Sequence, residues 1–483
     1  MTEILRKNSN WLTELRFYNC VFDDSKLFIE LMKTIPKLKK LVMFQVVTLE
    51  SFRSLEDSSP VFDKLEHLDF VMCEYRLLYF LKAAKLTSFK FFDSEDGSTG
   101  PLQPLTDFLS TQTSLKTFAI RSIDANDSHL FKVPFEPEQI PFKLKKLSLL
   151  KFKLRYEPND YNNLVKFIQV HASILEELEI GQNFPEFIYE LIFSKLKKLK
   201  TLNISMRGLP DNAEFYERLE PNSSVKQLII SDDFLCGDFQ SFVQHLPNVE
   251  MIVTSENFDA ESFRVIANCC DKLRHLEIVE MKEIFSELVF PQLEKLYIDC
   301  VFEPIDWSRF VVNIPKLKEL HIKTIATDQL GIEEISTNLN IQVLRLGANF
   351  VSDFDFFDSI RRNCKDLNLL VVHRESIAID ESETTDIRAL RFHSDSVFNR
   401  HEFPNAGHGE FWTDDYGGKL LEDDGESYRL DPFDLQEMLD EMGIVDEDDE
   451  EFYDEDDEEG WWLSNALSMT CLCDMEIEVN QKE

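Results

Sequence analysis

The stretch Lys195–Ser205 reads KLKKLKTLNIS and contains the spacing that decides the fold of this chain. Leu199, Leu202 and Ile204 are separated by two free positions and then by one. Side chains alternate between the two faces of a strand, so Leu202 and Ile204 are predicted to point to the same face. The residues predicted on the opposite face are Thr201, Asn203 and Ser205. The stretch therefore predicts a short strand with one buried face and one outward face.

The same spacing returns about sixteen times along the chain, at a mean interval of about 25 residues. The copies begin at Leu12, Leu38, Leu65, Leu86, Leu115, Leu144, Leu175, Leu199, Val225, Val249, Leu273, Leu293, Leu317, Ile341, Leu367 and Ile387. A phrase of the form L-x-x-L-x-L at a period in the twenties indicates a leucine-rich repeat. The predicted fold class is α/β: a solenoid over residues 1–393, with a curved parallel sheet on the concave face and helices on the convex face.

Two further features of the repeats support this prediction. Between the strands, apolar residues recur at helical spacing, for example Leu164, Phe167 and Ile168, which predicts helices packed behind the sheet. The 41 Phe residues are predicted to fill the wide interior. Shortly after the strand, five copies carry a small residue that is expected to bond to the backbone of a sharp turn. These residues are Cys20, Cys73, Asn183, Asn257 and Asn349.

Residues 394–483 follow a different pattern, because the repeat spacing stops and acidic residues accumulate. About two dozen Asp and Glu lie between His408 and Gly460, against Lys419 and Arg429, and this charge density predicts a largely disordered tail. The segment near 431–443 is predicted to be a short amphipathic helix that folds on a partner, and a nuclear-export motif is the alternative interpretation. Its apolar residues are Leu435, Met438, Leu439 and Met442.

The formal net charge of −39 argues against nucleic-acid and anionic-membrane partners, because both of them are negatively charged. The first twelve residues lack the apolar run of a secretory signal, and no apolar run is long enough to cross a bilayer. The nine Cys are scattered without a C-x-x-C pair, which is typical of reduced thiols. We therefore expect an intracellular protein that is cytoplasmic, nuclear or both.

Motifs for catalysis or phosphate binding are missing from the sequence, which contains no G-x-G-x-x-G, G-x-x-x-x-G-K-[ST], G-x-S-x-G or H-E-x-x-H. Cys471 and Cys473 have no companion ligands that would complete a metal site. The sequence therefore predicts a non-enzymatic protein that uses no cofactor and no metal.

The outward positions of the strands are the candidate binding residues, because a repeat sheet offers one continuous face to a protein partner. Early copies contribute aromatic side chains, middle copies small polar ones, and late copies a mixture of His, Tyr, Lys and Arg. Aromatic residues with Arg and a polar rim are typical of binding hot spots. The alternative interpretation is a solvated face without a partner. The candidates are Tyr18, Phe44, His275, Lys295, Tyr297, His321, Lys323, Arg345, His373 and Arg391.

The acidic tail is a second candidate partner, from within the same chain. Because it is tethered directly after the last repeat, its effective concentration near the basic late copies is high. We therefore expect it to shield that end of the face. Deletion of residues 394–483 is then expected to strengthen binding of an acidic partner at low salt.

The repeats resemble those of the ribonuclease-inhibitor-like superfamily, and more narrowly those of F-box/leucine-rich-repeat proteins. The resemblance covers residues 5–393 and is carried by the strand phrases, by Cys20 and Cys73, and by stretches such as IPKLKKL (Ile35–Leu41) and IPKLKEL (Ile314–Leu320). In that family the repeats hold a substrate, while an N-terminal F-box docks the adaptor of a cullin-based ubiquitin ligase. Here the first phrase begins at Leu12, which leaves no room for an F-box before it in this sequence.

Three functions are compatible with these features. The resemblance implies a substrate receptor of an F-box-type cullin ubiquitin ligase, with a ligase adaptor as a further partner. The acidic tail is similar to that of leucine-rich acidic nuclear phosphoproteins, which implies a scaffold or chaperone for basic proteins such as histones. The activator of the Ran GTPase also joins repeats to an acidic tail, which implies a GTPase-activating protein.

Overall fold

The computed structural model describes residues 11–22, 28, 32–48, 62–92, 103–121, 140–149, 158–181, 184–205, 209–210, 212–231, 239–254, 258–325, 331–348, 360, 362–373 and 390–393. All of them belong to one of the two units into which the chain divides. The acidic segment and the helix predicted near 431–443 lie outside the described residues. The tail's disorder, its intramolecular contact and the boundary at residue 393 therefore stay predictions.

Sixteen described strands form one parallel sheet, in which each strand pairs with the following strand of the repeat array. They are β1 (Glu14–Tyr18), β3 (Lys40–Phe44), β5 (His67–Val71), β6 (Ser88–Phe92), β7 (Thr117–Arg121), β8 (Lys146–Leu149), β9 (Glu177–Ile180), β10 (Thr201–Ile204), β11 (Gln227–Ile230), β12 (Met251–Thr254), β13 (His275–Met281), β14 (Lys295–Val301), β15 (Glu319–Ile325), β16 (Val343–Ala348), β17 (Leu369–His373) and β18 (Leu390–His393). Between them lie β2 (Val21–Phe22) and β4 (Val47–Thr48), which pair in a small second sheet. Each copy of the phrase thus supplies one strand of the large sheet.

The strands are aligned so that equivalent positions of neighbouring copies lie side by side. Leu202 of β10 is in register with Leu178 of β9 and with Leu228 of β11. Wherever their side chains are described, the second and third residues of the phrase are at most 4% exposed. These residues form a continuous apolar row on one face of the sheet. The structure is therefore a leucine-rich-repeat solenoid, as the spacing predicts.

The helices lie between the strands and bury one side against the apolar face of the sheet. Leu164, Phe167 and Ile168 are buried in one of them, as their spacing predicts. Phe rings fill the interior as expected: Phe89 stacks on Phe118 of the next copy, with 5.8 Å between ring centroids. The α-helices are Leu78–Leu81, Gln103–Thr111, Pro158–His171, Glu186–Ser194, Ala213–Glu217, Phe239–Gln244, Ala260–Cys269, Trp307–Asn313 and Ile332–Asn338, and the 3-10 helices are Tyr75–Leu77 and Glu283–Glu287.

Buried polar side chains connect one repeat to the next. The N–H of Leu86 donates to Gln112 Oε1 at 3.1 Å, and the N–H of Leu144 donates to His171 Nδ1 at 3.3 Å. Both N–H groups belong to the first residue of a copy, where the chain has not yet joined the sheet. Because His171 Nδ1 accepts a hydrogen bond, its ring is neutral. Burial, together with the charge of Lys143, lowers the pKa of His171 to about 3.

The turn that follows the strand is the same in the first three copies. Asn19, Gln45 and Met72 have left-handed backbone, with φ of 50°, 49° and 50°. Cys20 and Cys73 are buried, and each donates its thiol hydrogen to the carbonyl two residues earlier, at 3.2 and 3.1 Å. The predicted bond to the turn backbone is therefore confirmed for these two residues. The three other residues predicted for this role lie outside the described residues: Asn183, Asn257 and Asn349.

Candidate partner-binding surface

The outward face of the sheet is the side that the apolar row leaves free. In β1 and β3 the burial alternates residue by residue, so Tyr18 and Phe44 point outward as predicted. They are in register, and their ring centroids lie 6.2 Å apart. Glu14 Oε1 accepts from Arg16 Nε at 3.0 Å and lies 2.7 Å from Lys40 Nζ. The early copies thus present one aromatic pair beside a small network of charges.

The middle of the outward face differs from the prediction. Asn203 and Ser205 were expected to be open to a partner, but they are 0% and 2% exposed. In-register neighbours explain the burial of Asn203, because Glu179 of β9 and Ile229 of β11 flank it on both sides and are nearly buried themselves. The neighbouring residues Thr201, Gln227 and Ser231 are half-buried. In the described middle copies, the outward side chains are therefore largely inaccessible to a partner.

Four late strands, β13 to β16, bring together the residues that we call the late surface: His275, Glu277, Lys295, Tyr297, Glu319, His321 and Arg345. Three of their rings contact one another across adjacent strands. The rings of His275 and Tyr297 have centroids 4.7 Å apart, and those of Tyr297 and His321 lie 4.1 Å apart at 87°. Edge-to-face packing of this kind is favourable for aromatic rings. The late surface therefore has an ordered, ring-lined centre.

Charged side chains surround these rings in alternating sign. Tyr297 OH donates to Glu319 Oε2 at 3.2 Å, and Lys295 Nζ lies 2.8 Å from Glu319 Oε1. His275 Nε2 lies 2.9 Å from Glu277 Oε1, which is ion-pair distance when the ring is protonated. Arg345 of β16 is in register with His321 of β15. The rim is thus polar and mixed, with positive charge on the side of Arg345.

Burial changes the charge expected for His321. The residue is 7% exposed, and this burial, followed by the charges of Arg345, His275 and Lys295, holds its pKa well below the usual value. His321 is therefore a neutral ring at physiological pH. Burial first, and then Glu319 and Glu277, raise the pKa of Tyr297, so its hydroxyl stays protonated and remains a donor.

The remaining predicted residues are placed as follows. Lys323 is exposed, and β15 and β16 approach so closely beside it that a Cβ added to Gly347 would overlap the carbonyl oxygen of Lys323. His373 lies on β17 and Arg391 on β18, where Arg391 pairs with Val371 and so continues the row of Arg345. The tail residues Leu435, Met438, Leu439 and Met442 lie outside the described residues.

The ring contacts and the acidic partners were not predicted from the sequence. His275 occupies the second position after the first residue of its copy, whereas Tyr297 and His321 occupy the fourth. Rings at matching positions in consecutive copies are the signal that would have revealed the contact of Tyr297 with His321, whereas His275 is in register with Lys295 and meets Tyr297 diagonally. Glu277 and Glu319 follow from the alignment of the strands, because Glu277 is in register with Tyr297 and Glu319 with Lys295.

The described ranges contain neither a metal-binding cluster nor a membrane-spanning helix. They contain no group of three or more His, Cys, Asp or Glu side chains arranged to hold a metal ion. None of the helices in these ranges has both the length and the apolar character required to traverse a bilayer.

Solved structures of other repeat proteins are similar to this one. An internalin from Listeria monocytogenes is 13% identical, with a TM-score of 0.34 over 59% of this chain and 82% of that chain. A leucine-rich-repeat protein from Leptospira interrogans is 14% identical, with a TM-score of 0.34 over 75% of this chain and 96% of that one. Toll, in its complex with Spatzle from Drosophila, is 9% identical, with a TM-score of 0.39 over 79% of this chain and 50% of that one. No protein-family model and no curated protein matches the sequence.

Proposed function

We propose that this chain is a protein-recognition solenoid that holds a protein partner on the late surface. The observation that carries the proposal is the contact of the three rings His275, Tyr297 and His321 on adjacent strands. Binding hot spots are enriched in Tyr, Trp and Arg residues near the centre of an interface, and a polar rim surrounds them. The late surface combines such a centre with a rim that contains both signs of charge.

The more specific role that we propose is that of a substrate receptor in a cullin-based ubiquitin ligase. The resemblance to F-box/leucine-rich-repeat proteins supports this role, and in it the late surface would hold the substrate. The contact with a ligase adaptor rests on that resemblance alone.

A second role is favoured by the acidic residues between His408 and Gly460. A segment of such charge density attracts basic proteins at long range and raises their rate of association. In this role the chain is a scaffold or chaperone for basic proteins such as histones.

The two roles are distinguished by capturing the full chain from cells and quantifying the proteins that accompany it. A variant with Lys295→Ala and Arg345→Ala removes two charges from the late surface. The matched control, Lys166→Ala with Arg264→Ala, removes the same charge from exposed positions on two helices. We expect about tenfold less of the main partner to be recovered with the late-surface variant than with the wild type, and an unchanged amount with the control. Both variants should unfold at the temperature of the wild type.

The partner that is lost identifies the role. A ligase adaptor and a cullin, together with a substrate lost in the variant, indicate the receptor, whereas histones indicate the scaffold. A small GTPase would instead favour the GTPase-activating function. Equal recovery of all proteins with both variants would show that the late surface is not the binding site.

A further inference from the structure

A second surface lies at the edge where the chain begins each strand of the large sheet. In the first fifteen copies, the positions directly before and after the first residue of the phrase contain fourteen Lys or Arg and five Asp or Glu. The whole chain has a formal net charge of −39, so this edge has the opposite sign to the rest of the molecule. The cations are Lys37, Lys39, Lys64, Lys85, Lys116, Lys143, Lys145, Lys198, Lys200, Lys226, Lys272, Arg274, Lys316 and Lys318.

Backbone hydrogen bonds connect the residue directly after the first residue of the phrase to the equivalent residue of the next copy. The carbonyl of Lys39 accepts both the N–H of Glu66, at 2.8 Å, and the N–H of His67, at 2.9 Å. The carbonyl of Lys116 accepts in the same way from Lys145 and Lys146, at 2.8 and 3.0 Å. This double acceptance repeats from Thr13 to Gln342. The side chains of the edge are therefore presented at the regular separation of strands, about 4.8 Å.

The edge lysines differ along the array in whether a carboxylate pairs with them. From the seventh copy onward, carboxylates at the edge pair with lysines of neighbouring copies. Glu176 lies 3.0 Å from Lys145 Nζ and 2.6 Å from Lys200 Nζ, and Glu250 lies 2.5 Å from Lys226 Nζ. Hydrogen bonds from these two lysines, Lys200 first, lower the pKa of Glu176 to about 2. This part of the edge is partly neutralised by its own ion pairs.

Among the described residues of the second to sixth copies, Lys145 is the one edge lysine that is paired in this way. We call the other exposed lysines at these positions of the second to sixth copies the lysine edge: Lys37, Lys39, Lys64, Lys85, Lys116 and Lys143. Glu66 is the one carboxylate at the same positions in these copies, and it forms no ion pair within the described part of the chain. None of the six lysines lies within 4 Å of a described carboxylate, and Lys143 Nζ donates to the carbonyl of Val170 at 3.0 Å. A row of ammonium groups with no ion-pair partner among the described residues is therefore exposed.

We propose that the lysine edge is a docking surface for an acidic, extended segment of a partner protein. Four strand intervals cover about 19 Å, which an extended segment of about six residues spans. Carboxylates on such a segment would meet ammonium groups in several consecutive copies. This inference concerns a different surface from the late surface and does not depend on the function proposed for it.

The composition of the edge favours a protein segment over nucleic acid. Its cations in these copies are all Lys, whereas recognition of bases and phosphates relies strongly on Arg and on aromatic rings for stacking. The net charge also repels a long, uniformly charged polymer along its whole length. A short acidic segment interacts mainly with the charges within a Debye length, about 8 Å at physiological ionic strength.

The test uses the full chain and a labelled peptide of twelve Glu residues, with a peptide of twelve Gln as the uncharged probe. Binding is measured by fluorescence anisotropy at low and at high salt. The edge variant carries Lys39→Glu, Lys85→Glu and Lys116→Glu. The matched control carries Lys166→Glu, Arg218→Glu and Arg264→Glu, which make the same change in net charge at exposed positions on the helical side. Thermal unfolding is recorded for all three proteins.

We expect the wild type to bind the Glu peptide more weakly as salt increases, and to leave the Gln peptide unbound. The edge variant should bind the Glu peptide about tenfold more weakly, with the control within about twofold of the wild type. Equal losses in the two variants, or no binding by the wild type, would overturn the proposal. A single-stranded oligonucleotide that binds more tightly than the peptide, and is lost in the edge variant, would replace the protein segment with nucleic acid.

Discussion

The two faces of the large sheet are formed by the same strands but differ in the residue types that they accept. On the inward face, Leu202 and Ile204 are completely buried, and aliphatic or aromatic residues recur at these positions in nearly every copy. On the outward face, the position between them is Asn203 in β10, Tyr297 in β14 and Arg345 in β16. The inward face has to fill a closed interior, so it is restricted in size and polarity. The outward face is restricted only by its neighbours, so it is the face on which function can vary without loss of the fold.

The strongest test of this difference is a pair of substitutions in adjacent residues of β10. Leu202→Ala should lower the free energy of unfolding by about 2–5 kcal/mol, because it leaves a cavity in the closed interior. Thr201→Ala should cost less than about 1 kcal/mol, since it removes one hydrogen bond, to Gln227, from a half-buried position. Chemical denaturation of the full chain measures both values. Similar costs for the two substitutions would contradict the distinction between the faces.

One outward position, Gly347, is expected to tolerate substitution poorly. Gly347→Ala should destabilise the chain by about 1–3 kcal/mol, because the added methyl group overlaps the carbonyl oxygen of Lys323 and the strands must separate. Chemical denaturation is again the measurement. Ala348→Gly in the same strand is the matched change of one methyl group in the opposite direction. If Gly347→Ala has no effect, β15 and β16 do not approach as closely as the structure shows.

The interior behind the inward face also contains a group that responds to pH, at the end of the helix Pro158–His171. His171 has a folded-state pKa of about 3, against an ordinary value near 6.5, so the unfolded chain takes up a proton more readily than the folded chain does. The stability contributed by neutral His171 is therefore complete above pH 6.5 and is lost progressively as the pH falls towards 3. Between pH 7 and pH 5.5 the loss should be about 1 kcal/mol.

Denaturation of His171→Gln at several pH values checks this expectation. The Gln side chain keeps an acceptor for the N–H of Leu144 but does not titrate, so the variant should lose less stability than the wild type over this interval. An identical pH dependence for the two proteins would show that His171 is not held neutral.

The smallest effect is expected at an exposed ion pair. Glu176→Gln should leave the unfolding temperature unchanged, because Glu176 and its two lysines are at the surface. The substitution should also increase the affinity for the Glu peptide by about twofold, since it frees the charges of Lys145 and Lys200. A lower affinity would indicate that the acidic peptide does not bind at this edge.

The inward face could be predicted from the sequence because it is encoded locally. Leu199, Leu202 and Ile204 define a strand and its buried side within six residues, and their recurrence defines the sheet. The outward orientation of Tyr18, Phe44 and Tyr297 follows from the same alternation. Local spacing, however, does not show how far one copy is shifted against the next.

The properties that depend on register were therefore not predicted. The contact of Tyr297 with His321, and the burial that keeps His321 neutral, arise between copies more than twenty residues apart. The burial of Asn203 between Glu179 and Ile229 has the same origin. The composition of each copy identified these side chains, but the alignment of the strands decides what each of them contacts.

The carbonyls that accept two backbone hydrogen bonds at the start of the strands affect how the repeat array can evolve. The intervals between copies vary from 20 to 31 residues, yet the junction between neighbours is made by the same backbone groups each time. Because each of the second to fourteenth copies supplies one such carbonyl and two such N–H groups, a gene that loses or duplicates one of these copies still encodes strands that join. Arrays of this kind can therefore change in length by recombination before selection has adjusted a single side chain at the new junction.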